Sequence, residues 1–261
     1  MLQITLKELK DFQICERLYD FKYKQLLPEK IGGRQLLLSK FESNIKSVVG
    51  YFFYKKQQGN PPSKESLKNR WEKLWFPKTS SFDIIYEQHE IFHANKASLT
   101  TKADIIFEDL IENFGAKDII PIGINEEYSV PITSNVAIVD KFDLIYSKNK
   151  KIYIIKWVFN HRSKYESGYV FDFAFMSAAF NHKFENKKNN PIFGYFDLMN
   201  PKSGLTEFIT EKADINALEY WCTALHEEKV FPSRRGLTFY CKSCPFDKPC
   251  SKWVAWRKED K

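Results

Sequence analysis

Near its C-terminal end the chain carries three cysteines within ten residues, Cys241, Cys244 and Cys250, spaced C-x2-C-x5-C. Thiols this close, set among prolines and charged side chains, are poor core formers. As thiolates they repel one another unless a metal or cluster holds them. Three donors are one short of a tetrahedral sulfur site, so the fourth has to come from elsewhere, and the sequence offers Cys15, Cys222 and His226. Spacing alone leaves zinc, an iron–sulfur cluster and three unliganded thiols open. Cys15 and Cys222 each also read as small buried hydrophobes at helical positions.

A second group of candidates lies mid-chain. Asp140 and Asp143 sit on one stretch of alternating residues, Lys156 on the next, and Glu126 on the stretch before. An ammonium set among Ile154, Ile155 and Val158 needs an anionic partner or an exit to water. Hairpin pairing makes Asp143 the nearest anion.

The element that positions these residues is Asn135 to Phe159. It reads as two β-strands, Val136 to Tyr146 and Ile152 to Phe159, joined by the polar turn Ser147 to Lys151. Alternation puts Ile152, Ile154, Lys156 and Val158 on one face and Tyr153, Ile155 and Trp157 on the other, which predicts a central strand covered on both sides. Ile119 to Val130 supplies a preceding strand that ends at Pro131, so a three-stranded antiparallel meander is expected. Upstream, Thr5 with Glu8 is a capping-box signature opening a helix that carries Leu6, Leu9, Phe12 and, within it, Cys15. Leu36 to Lys56, a segment opened by Ser63, and Ala103 to Phe114 read as further helices. Trp71 and Trp75, four apart, read as core. After the meander come a phenylalanine-rich helix at Tyr169 to Phe184, strands at Ile192 to Asn200 and Gly204 to Thr210, and a helix at Asp214 to Glu228. This order suits an α/β sandwich with a mixed sheet.

Composition sets the outer limits. With 261 residues, 43% hydrophobic and 16% aromatic, the chain can bury a sizeable core and is too apolar for disorder. No apolar run approaches the roughly 20 residues of a membrane span, so the expectation is a soluble, cytoplasmic protein without membrane contact. A net charge of +7 permits a polyanionic partner without demanding one. The five cysteines, an odd number in a chain read as intracellular, argue against a disulfide framework.

The pattern C-x-R-x-Y-x-F-x-Y from Cys15 to Tyr23, paired with the distant C-x2-C-x5-C, resembles the iron–sulfur branch of the PD-(D/E)XK nucleases, which includes the RecB-like CRISPR-associated exonucleases and the AddB nuclease domain. The resemblance covers nearly the whole chain. It implies one nuclease-fold domain over residues 1–261: a helical lobe at 33–115, a sheet core at 119–230, and a cysteine segment at 231–261 closing onto the N-terminal helix. It also implies a [4Fe–4S] cluster held by Cys15, Cys241, Cys244 and Cys250, with zinc as the alternative.

Carried over residue by residue, the family's active site is degenerate. Its G-x-x-D motif falls on Asp140 to Asp143, which keeps the metal-binding Asp143 and loses the glycine. Its Asp/Glu-x-Lys motif falls on Lys156 to Val158, so a cation stands where the second carboxylate belongs. The upstream histidine falls on Lys46, the Gln-x3-Tyr motif on Phe171 and Phe175, and Glu126 matches an acidic position. No Asp or Glu occurs anywhere from Ile152 to Asn160. In the family two carboxylates hold Mg²⁺ or Mn²⁺, which generates the attacking hydroxide and stabilises phosphoryl charge. The expectation is therefore a nuclease fold without catalysis, with Lys156 neutralising Asp143. Such a protein would bind DNA or a helicase or nuclease partner subunit, with Arg234, Arg235, Lys242 and Lys248 as phosphate contacts. Two other readings remain. One is an active Mg²⁺/Mn²⁺-dependent DNase with relocated ligands, Asp143 and Glu126 with Asp140 or Asp172. The other is a zinc-stapled protein-interaction adaptor.

Overall fold

The computed structural model describes residues 1–29, 33–75, 90–159, 167–183, 191–200, 204–208, 212–227, 241, 244–246 and 249–250. In chain order the elements are β1 (Leu2–Thr5), α1 (Leu6–Ile14), α2 (Glu16–Tyr19), a π-helical turn (Asp20–Lys24), α3 (Gly33–Gln57), α4 (Lys64–Trp75) and α5 (Glu90–Phe114). There follow β2 (Ile120–Pro131), β3 (Val136–Lys148), β4 (Lys151–Val158), α6 (Ser167–Lys183), β5 (Ile192–Asp197), β6 (Leu205–Phe208) and α7 (Lys212–Glu227).

The fold is α/β, a mixed six-stranded sheet flanked by helices. β2, β3 and β4 form the expected antiparallel meander, β5 runs parallel to β4, and β6 returns antiparallel to β5. The β3–β4 turn needs only Asn149 and Lys150, both at positive φ (51° and 62°), the conformation that fits the right-handed twist of a two-residue hairpin. Above it Tyr146 and Tyr153 stack at 4.8 Å, a cross-strand pair that fixes the register.

The two faces of β4 enter two cores, as the alternation predicts. Ile154 and Val158 join Leu6, Leu9 and Phe12 of α1, Phe171, Phe173 and Phe175 of α6, and Leu218, Cys222 and Leu225 of α7. Ile155 and Trp157 join Phe41, Val49 and Phe53 of α3, Trp71 and Trp75 of α4, and Phe107 and Leu110 of α5. Trp71 and Trp75 stack at 4.8 Å with Phe41 edge-on to both, so the tryptophan pair is core. Burying each such ring is worth roughly 2–3 kcal/mol.

Two features depart from the sequence reading. The first is β1, a four-residue strand unmarked by any turn signal, which pairs parallel to β3 from Leu2↔Val136 to Thr5↔Val139. The second is the helix expected to contain Cys15. Thr5 and Glu8 do form the capping box, but the helix stops at Ile14, and Cys15 takes an extended conformation (φ −165°, ψ 117°) before α2 begins. Cys15 thus sits in a break between two helices and not within one. Among the described residues no helix is long and apolar enough to cross a membrane.

Candidate functional site

β3 is longer than either neighbour on one of its edges. β2 runs along the other edge as far as Ser147, so β1 and β4 must share this one. β1 pairs as far as Val139, and β4 takes over at Leu144. Asp140 to Asp143 therefore lie in a fork between two diverging strands. A fork leaves backbone donors without ladder partners, and Asp143 fills one such gap: its Oδ2 accepts the Trp157 N–H at 2.8 Å.

Four elements bring charge to this fork. Lys156, from β4, donates to Asp172 Oδ1 and lies 3.4 Å from Asp140 Oδ2. Lys10, from α1, donates to the other oxygen of Asp172. Asp172, from α6, is 1% exposed, and each of its oxygens carries one ammonium. Lys46, from α3, stands 3.9 Å from Asp143 Oδ1. Three carboxylates thus face three ammonium groups.

The titration behaviour follows from this arrangement. Burial alone would lower the Lys156 pKa, but the Asp172 and Asp140 carboxylates outweigh it and hold the group above the usual lysine value. Lys10 is lowered, because burial and the neighbouring Lys156 charge together exceed the pull of Asp172. Asp143 is raised by burial, against the opposing pull of Lys46, Lys156 and the Trp157 N–H.

The expected pairing of Lys156 with Asp143 needs correction. Among the described residues the ion-pair partners of Lys156 are Asp172 and Asp140, and Asp143 acts on it only at longer range. The reason is tertiary: α6 delivers Asp172 directly over the ammonium, while the side chain of Asp143 is turned to the backbone of β4. Glu126 stands apart from this network. It accepts from the Tyr128 hydroxyl, lies 3.5 Å from Lys183 Nζ, and folds over Gly123, where a Cβ would come within 2.6 Å of its carboxylate. Phe171 and Phe175 are buried, Phe175 against the Phe142 ring. The sequence reading missed Lys10. A lysine on an amphipathic helix reads as solvated, and no local signal says that α6 covers it.

The cysteines form a second locus. Phe246, between Cys244 and Cys250, is 1% exposed and its ring lies 5.8 Å from that of Phe21, with Arg17 over the far partner at 4.6 Å. This contact brings the C-terminal cysteines beside the helix break at Cys15. Burial raises the Cys244 thiol, a hydrogen bond from the Phe246 backbone opposes this, and the charges of Cys15, Cys250 and Cys241 add to the rise, so the four sulfurs are electrostatic neighbours. None of the five cysteines forms a disulfide. Cys222 lies in the first core, its thiol pushed up to about 12 by burial and by Glu219, and His226 is exposed. Among the described residues no three His, Cys, Asp or Glu side chains are drawn together closely enough to hold a metal ion. The four sulfurs are of the donor type that a four-thiolate site uses and are not gathered into one. Arg234, Arg235, Lys242 and Lys248 lie outside the described residues.

No family model matches the chain, and no curated protein matches it.

Proposed function

We propose that this protein is a PD-(D/E)XK nuclease-fold subunit that does not hydrolyse DNA and works by binding it, alongside a helicase or nuclease partner. The observation carrying this reading is the Lys10–Asp172–Lys156–Asp140 network. Metal-dependent phosphodiester hydrolysis holds its divalent ion through one or two carboxylates that are free to meet it, together with the substrate phosphate. Here Lys156 and Lys10 hold Asp172, Lys156 also lies against Asp140, and Asp143 has Lys46 at 3.9 Å, so the charges around the fork repel a divalent ion. Cys15, Cys241, Cys244 and Cys250 are the residues that would hold a [4Fe–4S] cluster, with zinc as the alternative. Such a group would cross-link the chain ends and stabilise the fold.

The test is incubation with labelled single-stranded DNA and Mn²⁺, beside Asp143→Ala, together with a retention assay at rising salt. The expected result is no cleavage by either protein and retention that weakens with salt. Cleavage that needs both Mn²⁺ and Asp143 would establish an active nuclease and overturn the proposal.

A further inference from the structure

The helix α4 presents two cationic faces that are treated differently. On one, Lys64 pairs with Glu108 of α5 at 2.8 Å and Lys68 reaches Asp104 at 4.0 Å. On the other, Ser66, Asn69, Arg70 and Lys73 follow at spacings of three and four, so they share one stripe. That stripe gives its cations no acid at helical spacing. The residues four before Arg70 and Lys73 are Ser66 and Asn69, and those three before are Leu67 and Arg70 itself. Among the described residues neither cation forms an ion pair.

These residues line a groove of about 420 Å³ between α3 and α4, completed by Tyr51, Ser63 and a single acid, Glu65. That volume lies within the range of small-ligand sites, about 300–1,000 Å³. The Arg70 guanidinium is held over the Tyr51 ring, 4.5 Å from its centroid. The contact restricts a long side chain before any ligand arrives and so reduces the entropy lost on binding. Ser63 Oγ already accepts the Ser66 N–H, so the helix terminus itself is satisfied. What the groove offers is two cations one turn apart that form no ion pair among the described residues, with the Asn69 amide and the Ser66 hydroxyl between and beside them. This is the donor pattern that suits phosphate oxygens.

We propose that the α3–α4 groove binds the phosphodiester backbone of single-stranded nucleic acid, with Arg70 and Lys73 each contacting a phosphate. The proposal rests on the DNA-binding reading and assigns it a surface separate from the fork and from the cysteines. A free phosphate or nucleotide would satisfy the same donors, so the test separates the sources.

Labelled oligothymidylate is titrated by fluorescence anisotropy at several salt concentrations against the wild-type chain, Arg70→Gln/Lys73→Gln, and Lys64→Gln as a control on the acid-paired face. All three changes are on exposed helix surface, and circular dichroism checks that the fold is kept. The expected result is roughly tenfold weaker binding by the double variant and a salt slope shallower by about 1.4, at about 0.7 per phosphate on a single strand. Lys64→Gln is expected to match the wild type. Equal affinity and slope in the double variant would overturn the proposal and leave the DNA-binding reading in place. Failure of the wild type to bind the oligonucleotide would overturn both. Binding of inorganic phosphate or thymidine monophosphate, but not the oligonucleotide, would replace the proposal with a small-ligand site.

Discussion

Replacing Lys156 with methionine removes the ammonium at the fork while keeping most of the side-chain volume. Its partner Asp172 is 1% exposed, and the lysine side chain itself is 20% exposed. Removing one member of a buried ion pair leaves a desolvated charge behind and typically costs about 3–5 kcal/mol. Here Lys10 still holds the second oxygen of Asp172, and Asp140 is partly open to water, so the expectation is lower, about 2–3 kcal/mol. For a chain of this size that corresponds to a fall in Tm of roughly 5–10 °C. Because the folded-state pKa of Lys156 is raised, its contribution is fully present below the ordinary lysine value and is lost only as pH rises through the higher one. The deficit in the variant should therefore be level between about pH 7 and 9. Urea unfolding at several pH values measures it. A double-mutant cycle with Asp172→Asn should return a coupling energy on the order of 1 kcal/mol or more. A urea midpoint unmoved by Lys156→Met would refute the view that this ammonium is an internal counter-ion.

Three further changes test other parts of the structure. Asp143 has a raised folded-state pKa, so its ionisation opposes folding; the favourable contribution exists at acid pH and is lost as pH rises through the folded value. Asp143→Asn, whose amide oxygen can still accept the Trp157 N–H, should thus be more stable than wild type at pH 7 and lose that advantage in acid. A lower urea midpoint at pH 7 would contradict this. Phe246→Ala empties a buried ring site against Phe21, so about 3 kcal/mol of docking should be lost and limited proteolysis should cut the C-terminal segment first. Unchanged proteolysis would count against the docking of Phe246 on Phe21. On the proposed [4Fe–4S] assignment the wild type purified anaerobically carries iron and absorbs in the visible, Cys15→Ser should abolish both, and Cys222→Ser, a change within the apolar core, should retain them. Equal iron in both variants would remove Cys15 from the ligand set.

What could be read before folding was whatever depends on local period. The Thr5–Glu8 cap, the meander, the opposite faces of β4 and the packing of Trp71 against Trp75 all follow from spacing within a few residues. Features that depend on distant contacts were hidden. β1 is four residues long and acquires its meaning by pairing with β3 across more than half the chain. The break at Cys15 was masked because hydrophobic residues keep a helical spacing on both sides of it. Asp172 sits between Phe171 and Phe173 in a helix that is apolar almost all round, so nothing local distinguishes a surface aspartate from one clamped by two lysines. The absence of an acid from Ile152 to Asn160 was plain in the sequence, but the identity of the carboxylates that answer Lys156 was not.

The central claim is that ammonium groups occupy the place a divalent ion would need at the fork. Crystals soaked in Mn²⁺ and measured at the manganese absorption edge test it most directly. The expected anomalous map has no peak between Asp140, Asp143 and Asp172, with Lys156 still bonded to Asp172. A peak coordinated by Asp143, with Lys156 swung away, would contradict it.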